Sequence, residues 1–178
     1  MGTQVLMLRG INLGPNRRVP MAQLRELLTG AGYDDVRTYV QSGNVVLASA
    51  AEPADLERES ARLIAEGFGF EIAVVARTRD ELAKVVDANP LGDVADNPKR
   101  YQVSFLSAQL DANTLSALKA QTAEPERLVA IGRELYAWHP DGVARSKLWN
   151  ALAGKALGVT ATARNWTTVT TLLAMADE

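Results

Sequence analysis

Five basic side chains lie at the starts of three predicted helices, near positions 20, 146 and 166 of the chain. They are Arg17, Arg18, Arg145, Lys147 and Arg164. The amino end of a helix already carries about half a positive charge, so a cation placed there is unfavourable by roughly 0.3 to 1 kcal/mol. A bound anion would reverse the sign of that interaction. The placement therefore predicts that a negatively charged molecule binds near these helix starts.

The segment from Arg9 to Arg18 has the residue types of an anion-binding loop. It joins a predicted strand to a predicted helix and contains Gly10, Asn12 and Gly14, so its backbone N–H groups could hold a phosphate or a carboxylate. Neither the GxxxxGK pattern nor the GxGxxG pattern of nucleotide-binding proteins occurs in it. A surface turn with hydrated arginines is the alternative interpretation. Arg9 and Asn12 are the candidate ligand-binding residues of this loop.

A second group of polar side chains, Gln41, Ser42 and Asn44, lies in a predicted hairpin turn. Their amide and hydroxyl groups can donate and accept hydrogen bonds, which suits recognition of a polar ligand. Hairpin turns use Gly and Asn for conformational reasons, so the turn alone also explains Gly43 and Asn44. The turn does not require Gln41, which is therefore the stronger candidate for a ligand contact.

The second half of the chain offers Ser146, Lys147, Arg164 and Asn165 as further ligand-binding candidates. Ser146 and Asn165 also fit ordinary roles as N-caps, because Ser and Asn are preferred at that position of a helix. The ammonium group of Lys147 is misplaced in a first helical turn unless a carboxylate or a ligand lies nearby, or solvent screens its charge. Arg164 is the candidate for a functional contact beside the last helix.

The chain has one histidine, His139, and no cysteine. Disulfides, thiolate catalysis, cysteine-based zinc sites and mechanisms with two histidines are therefore excluded. A Ser-His-Asp arrangement could combine His139 with Ser146 and Asp141, but no GxSxG pattern supports it, and a structural position at a strand end is the simpler interpretation. Carboxylates such as Asp93 and Asp96 are equally well explained as a solvated loop. We therefore predict no metal site and no cofactor.

Composition limits the classes of partner. The 178 residues are 47% hydrophobic and 22% charged, as is typical of a globular protein. The formal net charge of -2 argues against non-specific binding to nucleic acid, which needs a broad field of Lys and Arg. Arg9 interrupts the first apolar segment, and no apolar run approaches the length of a membrane span. We therefore expect a soluble cytoplasmic protein without a membrane partner.

Apolar periodicity and turn residues predict the order β-α-β-β-α-β, followed by a helix, twice along the chain. In the first half the predicted strands cover 3–9, 36–41, 45–48 and 72–76. In the second half they cover 101–106, 128–131, 135–139 and 159–163. A segment rich in Asn, Pro, Gly and Asp lies between them. The predicted domains are 1–88 and 101–178, joined by a linker at 89–100.

This element order is that of the ferredoxin-like fold of the α+β class, in which strands one and two run parallel with strand three between them. The topology decides which loops become neighbours. In the first half it predicts one cluster of Arg9, Asn12, Gln41, Ser42 and Asn44. In the second half it predicts another cluster of His139, Ser146, Lys147, Arg164 and Asn165.

Four segments of the chain carry a recognisable combination of residues. They are LRGINLG at 8–14, TYVQSGNVV at 38–46, GVARSKL at 142–148 and TARNWTTVTTL at 162–172. Together they resemble the domain-of-unknown-function 1697 family, from the first strand to the last helix. The resemblance implies a small bacterial-type α+β protein built from two related halves, and it implies no assigned reaction or cofactor.

Three kinds of function are compatible with these residues. The first is binding of a small anionic ligand, such as a nucleotide or a sugar phosphate, in a basic cleft. The second is a cofactor-independent enzyme that uses the same cleft, with Lys147 or His139 as proton donor or acceptor. The third is an RNA-binding or oligomerising module, although the segment 44–49, which contains the predicted strand at 45–48, has no aromatic residue on which a base could stack. The misplaced cations favour the first.

Overall fold

Two four-stranded antiparallel sheets form the framework of the protein in a computed structural model that describes residues 1–153 and 157–178. The chain divides into two compact units. The first comprises Met1–Lys84 and Thr171–Glu178, and the second comprises Val85–Thr170. The separation of the halves by a linker at 89–100 stays a prediction.

The first half folds with the element order expected for a ferredoxin-like unit. Its elements are β1 (Gly2–Leu8), α1 (Met21–Gly30), β2 (Asp34–Tyr39), β3 (Asn44–Ser49), α2 (Pro53–Phe68), β4 (Val74–Thr78) and α3 (Arg79–Ala88). The strand order in the sheet is β2-β3-β1-β4. Both β1 and β2 pair antiparallel with β3, so they run parallel to each other with β3 between them.

The second half repeats this topology. Its elements are β5 (Tyr101–Leu106), α4 (Ala112–Ala120), β6 (Arg127–Ile131), β7 (Glu134–Trp138), α5 (Lys147–Leu152), β8 (Ala161–Asn165) and α6 (Trp166–Ala176). The strand order is β6-β7-β5-β8, and the neighbouring strands are antiparallel. The predicted fold of two tandem ferredoxin-like halves, each followed by a helix, is therefore confirmed.

The helix-facing core of the first unit follows from two sequence periods. Alternate residues of β1, Leu6 and Leu8, are fully or almost fully buried on the face that meets the helices. Helix α2 buries Leu56 and Ile64, which are eight residues apart and so lie on one helical face. Each such side chain contributes about 1.5 to 3 kcal/mol by leaving water. This core fixes the sheet whose end carries the first candidate cluster.

Strand β2 starts earlier than its apolar pattern predicts. The register between β2 and β3 shifts between Asp34 and Arg37, and Asp35 has a φ of 53°. The irregularity interrupts the alternation of side chains, and regular pairing with β3 resumes only at Arg37. The structure therefore adds two residues to the start of the strand.

The carboxyl end of α6 belongs to the first unit. The guanidinium of Arg37 donates to the carbonyl oxygen of Met175 at 2.8 Å and to the carboxylate of Glu178 at 2.7 Å. Arg79 pairs with Asp177 at 2.6 Å, and this hydrogen bond holds the pKa of Asp177 below its usual value. Among the described residues, no helix combines the length and apolarity that crossing a membrane requires.

Candidate functional site

The side chain of Asn12 joins three segments at one end of the first sheet. Its Nδ2 donates to the carbonyl oxygens of Val19 at 2.9 Å and Gln41 at 2.8 Å. Its Oδ1 accepts from the backbone N–H of Val19 at 2.8 Å. Asn12 thereby fixes the loop at 9–19 to the β2–β3 turn and to the start of α1. Both amide protons are used in these bonds, so Asn12 organises this end of the sheet.

The β2–β3 turn is held against the end of β1. Asn44 is fully buried, and its Nδ2 donates to the carbonyl oxygen of Tyr39 at 3.1 Å and to Oγ of Ser42 at 2.8 Å. Gly43 has a φ of +83°, and a Cβ atom at this position would lie 2.7 Å from Cβ of Leu8. Glycine is required here by both the backbone conformation and the close approach. The β2–β3 turn, which carries part of the cluster predicted for the first half, is therefore packed closely against the end of β1.

Strained and exposed apolar residues lie at the same end of the sheet. Val40 has a φ of 51° and is 53% exposed, although a β-branched residue rarely adopts this conformation. Leu13, which follows Asn12, is 85% exposed. Backbone strain of this kind costs about 1 to 3 kcal/mol and is concentrated at functional sites.

The arginines of the loop have different environments. Nε of Arg17 donates to the carbonyl oxygen of Gly10 at 3.2 Å, and Nη2 donates to that of Glu71 at 3.0 Å. The guanidinium of Arg17 also lies 5.2 Å from the ring centre of Phe70. Arg9 is half-buried, whereas Arg18 is exposed. Arg17 is therefore part of the loop framework, and Arg18 presents its charge to solvent.

Helix α1 begins without a side-chain cap. Its N-cap residue is Pro20, which makes no side-chain hydrogen bond to the first turn, and that turn contains no acidic residue. The N–H groups at positions 21–23 have no carbonyl partner within the helix. Ala22 and Gln23 are exposed residues, and the exposed Arg18 precedes the N-cap residue by two positions. This helix start keeps its full positive polarity.

Two candidates in the second half are helix caps. Oγ of Ser146 accepts from the backbone N–H of Trp149 at 3.0 Å, and Oδ1 of Asn165 accepts from that of Thr168 at 2.9 Å. Both cap predictions are therefore confirmed. Lys147 is exposed in the first turn of α5.

Arg164 lies within β8, with 8% of its surface exposed. Its Nη1 donates to Oγ1 of Thr162 at 2.9 Å and to the carbonyl oxygen of Ala163 at 2.9 Å. Burial lowers the pKa of Arg164 to about 10. The side chain of Arg164 thus forms hydrogen bonds within its own strand. Its position in the sequence, just before α6, predicted instead a contact at the start of that helix.

A hydrogen-bonded trio, which we call the Glu126 trio, consists of Glu126, His139 and Ser146. Oε2 of Glu126 lies 2.5 Å from Nδ1 of His139 and accepts from Oγ of Ser146 at 2.6 Å. His139 is fully buried, its ring lies edge-on to Trp149, and no partner for its Nε2 is present among the described residues. His139 and Ser146 were predicted to be neighbours, whereas Glu126 was not among the candidate residues indicated by the sequence.

The geometry of the Glu126 trio differs from that of a catalytic triad. In a triad the histidine takes the proton of the serine, and the carboxylate bonds the other imidazole nitrogen. In this protein Ser146 donates to Glu126, while Nδ1 of His139 is 3.5 Å from the serine oxygen and bonds the same carboxylate. The histidine is thus placed as a donor to the carboxylate. The trio is suited to anchoring Glu126 rather than to activating Ser146.

A pocket of about 440 Å³ opens beside the trio in the second unit. It is lined by residues 123–126, 141, 142 and 144–146. Its charged lining residues are Glu124, Glu126, Asp141 and Arg145. Carboxylates therefore outnumber cations on its wall, in contrast to the loop end of the first sheet.

Comparison with known proteins gives a family and a fold. The model of the family described as "Protein of unknown function (DUF1697)" matches residues 1–136. The solved structure of a conserved bacterial protein from Streptococcus pneumoniae is similar over 98% of both chains, with 21% sequence identity and a TM-score of 0.78. At this identity the likeness shows the fold alone. No match was found among curated proteins.

Proposed function

We propose that this chain, which belongs to the DUF1697 family of proteins of unknown function, binds a small anionic ligand. The proposed ligand is of the nucleotide or sugar phosphate type. The proposed site is the loop end of the first sheet, defined as residues 9–20 together with 40–43. Arg18, the side chain of Gln41 and the first N–H groups of α1 are the proposed contacts.

The uncapped start of α1 is the observation that carries this proposal. The helix lacks both a capping side chain and an acidic residue in its first turn, and the exposed Arg18 precedes its cap by two residues. An anion at this position would satisfy exposed N–H groups and relieve the repulsion between Arg18 and the helix dipole.

The framework of the loop end supports binding with little rearrangement. Asn12 ties Gln41 and Val19 together through three hydrogen bonds of 2.8 to 2.9 Å, and Arg17 ties the loop to Glu71. A site that is ordered before binding loses less conformational entropy when the ligand arrives. The bonds of Asn12 and Arg17 thus support the proposal without using these residues as ligand contacts.

The remaining surface of the loop end fits the organic part of such a ligand. The exposed amide of Gln41 can donate to and accept from a hydroxyl group or a base edge. Leu13 and Val40 offer exposed apolar surface beside it. A phosphate with a sugar or a nucleoside attached matches this combination better than inorganic phosphate alone.

The proposal relies on the first-half candidates. Arg9 and Ser42 belong to the same loop end and are secondary candidates, whereas Asn44 lies beneath it as part of the framework. The four second-half candidates are outside this site. We therefore limit the proposed binding site to the loop end and leave out the candidates of the second half. The cytoplasmic location and the oligomeric assembly stay predictions.

A thermal-shift screen with inorganic phosphate, adenosine diphosphate and glucose 6-phosphate tests the proposal. A ligand at one hundred times its Kd adds about 2.7 kcal/mol to the free energy of unfolding. For a chain of this length that energy raises Tm by about 5 to 10 °C. Arg18→Ala should lose most of the shift, because it removes the exposed charge beside α1. Arg58→Ala is the matched control, since Arg58 is exposed on α2 and pairs with Asp55.

Two results would contradict the proposal. One is the absence of a shift with all three anions. The other is an equal loss of the Tm shift in the Arg18 and Arg58 variants, because the shift would then depend on the total charge of the protein and not on a site beside α1.

A further inference from the structure

The connection between β1 and α1 is longer than the topology requires. It runs from residue 9 to residue 20, whereas the equivalent connection in the second half, between β5 and α4, runs only from residue 107 to residue 111. Both connections join the first strand to the first helix of the same arrangement. Connections of this kind usually have about two to six residues, and much longer ones commonly carry function. The additional residues of the first half therefore indicate a role other than closing the fold.

This longer loop has an ordered base and an exposed tip. Ile11 and Val19 are buried in the helix-facing core of the first unit. Between them, the backbone N–H of Asn12 donates to the carbonyl oxygen of Arg17 at 3.1 Å, which closes the loop. Residues 13–18, which we call the loop tip, are all exposed. The loop tip is thus a solvent-facing segment on a base that is held by the core.

The loop tip presents aliphatic surface to solvent. Leu13 is 85% exposed, more than any other large apolar side chain of the described residues, and Val40 is 53% exposed. The two residues belong to adjacent segments, because Nδ2 of Asn12 donates to the carbonyl oxygen of Gln41 at 2.8 Å. Single exposed apolar side chains are common, whereas neighbouring ones mark surfaces that contact other molecules.

The charge around this aliphatic surface is positive. The first 25 residues of the chain include Arg9, Arg17, Arg18 and Arg25 but no Asp or Glu. Arg17 bonds to carbonyl oxygens, and Glu71 contributes its backbone oxygen to it rather than its carboxylate. Carbonyl oxygens do not cancel the charge of a guanidinium group. The surface is therefore complementary to a partner with carboxylate groups.

We propose that the loop tip, together with Val40, docks an acidic segment of a partner protein. Leu13 packs among aliphatic side chains of that segment, and Arg17 and Arg18 face its carboxylates. A small phosphate would leave Leu13 in water, whereas a peptide with both apolar and acidic side chains covers it. The ordered base of the loop reduces the entropy lost on docking. The contacts are side chains, so this inference does not rest on anion binding at the start of α1.

A nucleic acid matches the same surface less well. Bases stack on aromatic rings or on guanidinium planes, and the loop tip contains no aromatic residue. Tyr39, which precedes Val40, is half-buried, and the guanidinium of Arg17 already lies 5.2 Å from the ring centre of Phe70. The net charge of -2 also leaves the whole chain without the broad positive field that nucleic acid attracts. Aliphatic and acidic side chains are therefore the favoured partner chemistry.

Selection from a random peptide library displayed on phage, with the full chain immobilised, tests this inference. We expect the enriched peptides to combine Glu or Asp with Leu, Ile or Val. The enriched peptide is then synthesised, labelled and titrated with the protein by fluorescence anisotropy. Leu13→Ser removes the aliphatic contact without changing the charge, and it should raise the Kd about tenfold or more. Val94→Ser replaces an exposed apolar residue of the second unit and should change the Kd less than about twofold.

Added NaCl should also weaken binding of the peptide, because it screens exposed charges. Enrichment of no sequence, enrichment of basic sequences, or an unchanged Kd in Leu13→Ser would overturn the inference. Competition by oligouridine that persists in Leu13→Ser would overturn it too, since charge alone would then explain binding. Leu13→Ser keeps Arg18 and the start of α1, so its thermal shift with inorganic phosphate should equal that of the wild type. A missing phosphate shift in the wild type would count against the anion proposal alone.

Discussion

Replacing Asn12 with Ala tests the structural basis of the loop end. The amide of Asn12 makes three hydrogen bonds of 2.8 to 2.9 Å, two with Val19 and one with Gln41. They are partly exposed, so together they contribute about 2 kcal/mol. Asn12 also has a φ of 55°, where Ala costs about 1 kcal/mol more. Asn12→Ala should therefore lower the free energy of unfolding by about 3 kcal/mol.

Urea denaturation followed by circular dichroism measures this loss, and thermal unfolding should show a Tm lower by about 6 to 12 °C. Asn12→Gly removes the same hydrogen bonds but tolerates the positive φ, so its loss should be smaller. Asn16→Ala is the matched control, because Asn16 is an exposed residue of the same loop. Stability losses that are equal for the Asn12 and Asn16 variants would refute the role assigned to Asn12.

Three further changes test other parts of the structure. Gly43→Ala should lower the free energy of unfolding by about 3 kcal/mol, since the new Cβ would lie 2.7 Å from that of Leu8 at a φ of +83°; an effect below about 1 kcal/mol in urea denaturation would contradict the close approach. Tyr136→Phe should cost about 1 kcal/mol by removing the buried bond of 2.8 Å to the carbonyl oxygen of Val85, and an unchanged urea midpoint would argue against that bond. Asp111 caps α4 through the N–H of residue 114, which holds its pKa below the usual value. Its carboxylate therefore stabilises the fold above the unfolded pKa of about 3.9, and this stabilisation is lost as the pH falls through the lowered folded value. The stability difference between the wild type and Asp111→Ala, measured in urea at several pH values, should shrink between about pH 5 and pH 2, and a constant difference would contradict the cap.

Element order and helix caps were predictable because they depend on local spacing. The caps at Asp111, Ser146 and Asn165 each join a side chain to a backbone N–H three residues further along the chain. The apolar periods of two and 3.6 residues are equally local. Sequence patterns can therefore identify these features without knowledge of the tertiary structure.

The contact between Glu126 and His139 could have been found from hairpin register. The two-residue turn at 132–133 places Ile131 opposite Glu134, and the ladder continues to the pair Arg127 and Trp138. One further step brings Glu126 opposite His139. The predicted strand at 135–139 includes His139, but the predicted strand at 128–131 ends two residues short of Glu126, because Glu126 and Arg127 are charged and do not continue the apolar pattern. Ser146 follows β7 after a loop, and the apolar periodicity of the sequence does not predict the path of a loop.

The cations show where spacing along the chain fails as a guide. Arg17 precedes α1 in the sequence, but its guanidinium bonds the carbonyl oxygen of Glu71, which is 54 positions away. Arg164 precedes α6, but its side chain bonds Thr162 within β8. A long side chain can reach hydrogen-bond acceptors in several neighbouring segments. The position of an arginine before a helix in the sequence therefore does not determine where its guanidinium group lies. Arg17 and Arg18 are both exposed, but the bonds of Arg17 direct its head group to Gly10 and Glu71 rather than to the start of α1.

A two-dimensional ¹H–¹⁵N NMR titration with adenosine diphosphate tests the proposed anion site most directly. The account predicts that saturable shifts concentrate on the amide signals of Arg18, Ala22, Gln23 and the turn at 41–43. Shifts that are absent at millimolar ligand, or that are confined to the acidic pocket at 123–126 and 141–146, would contradict it.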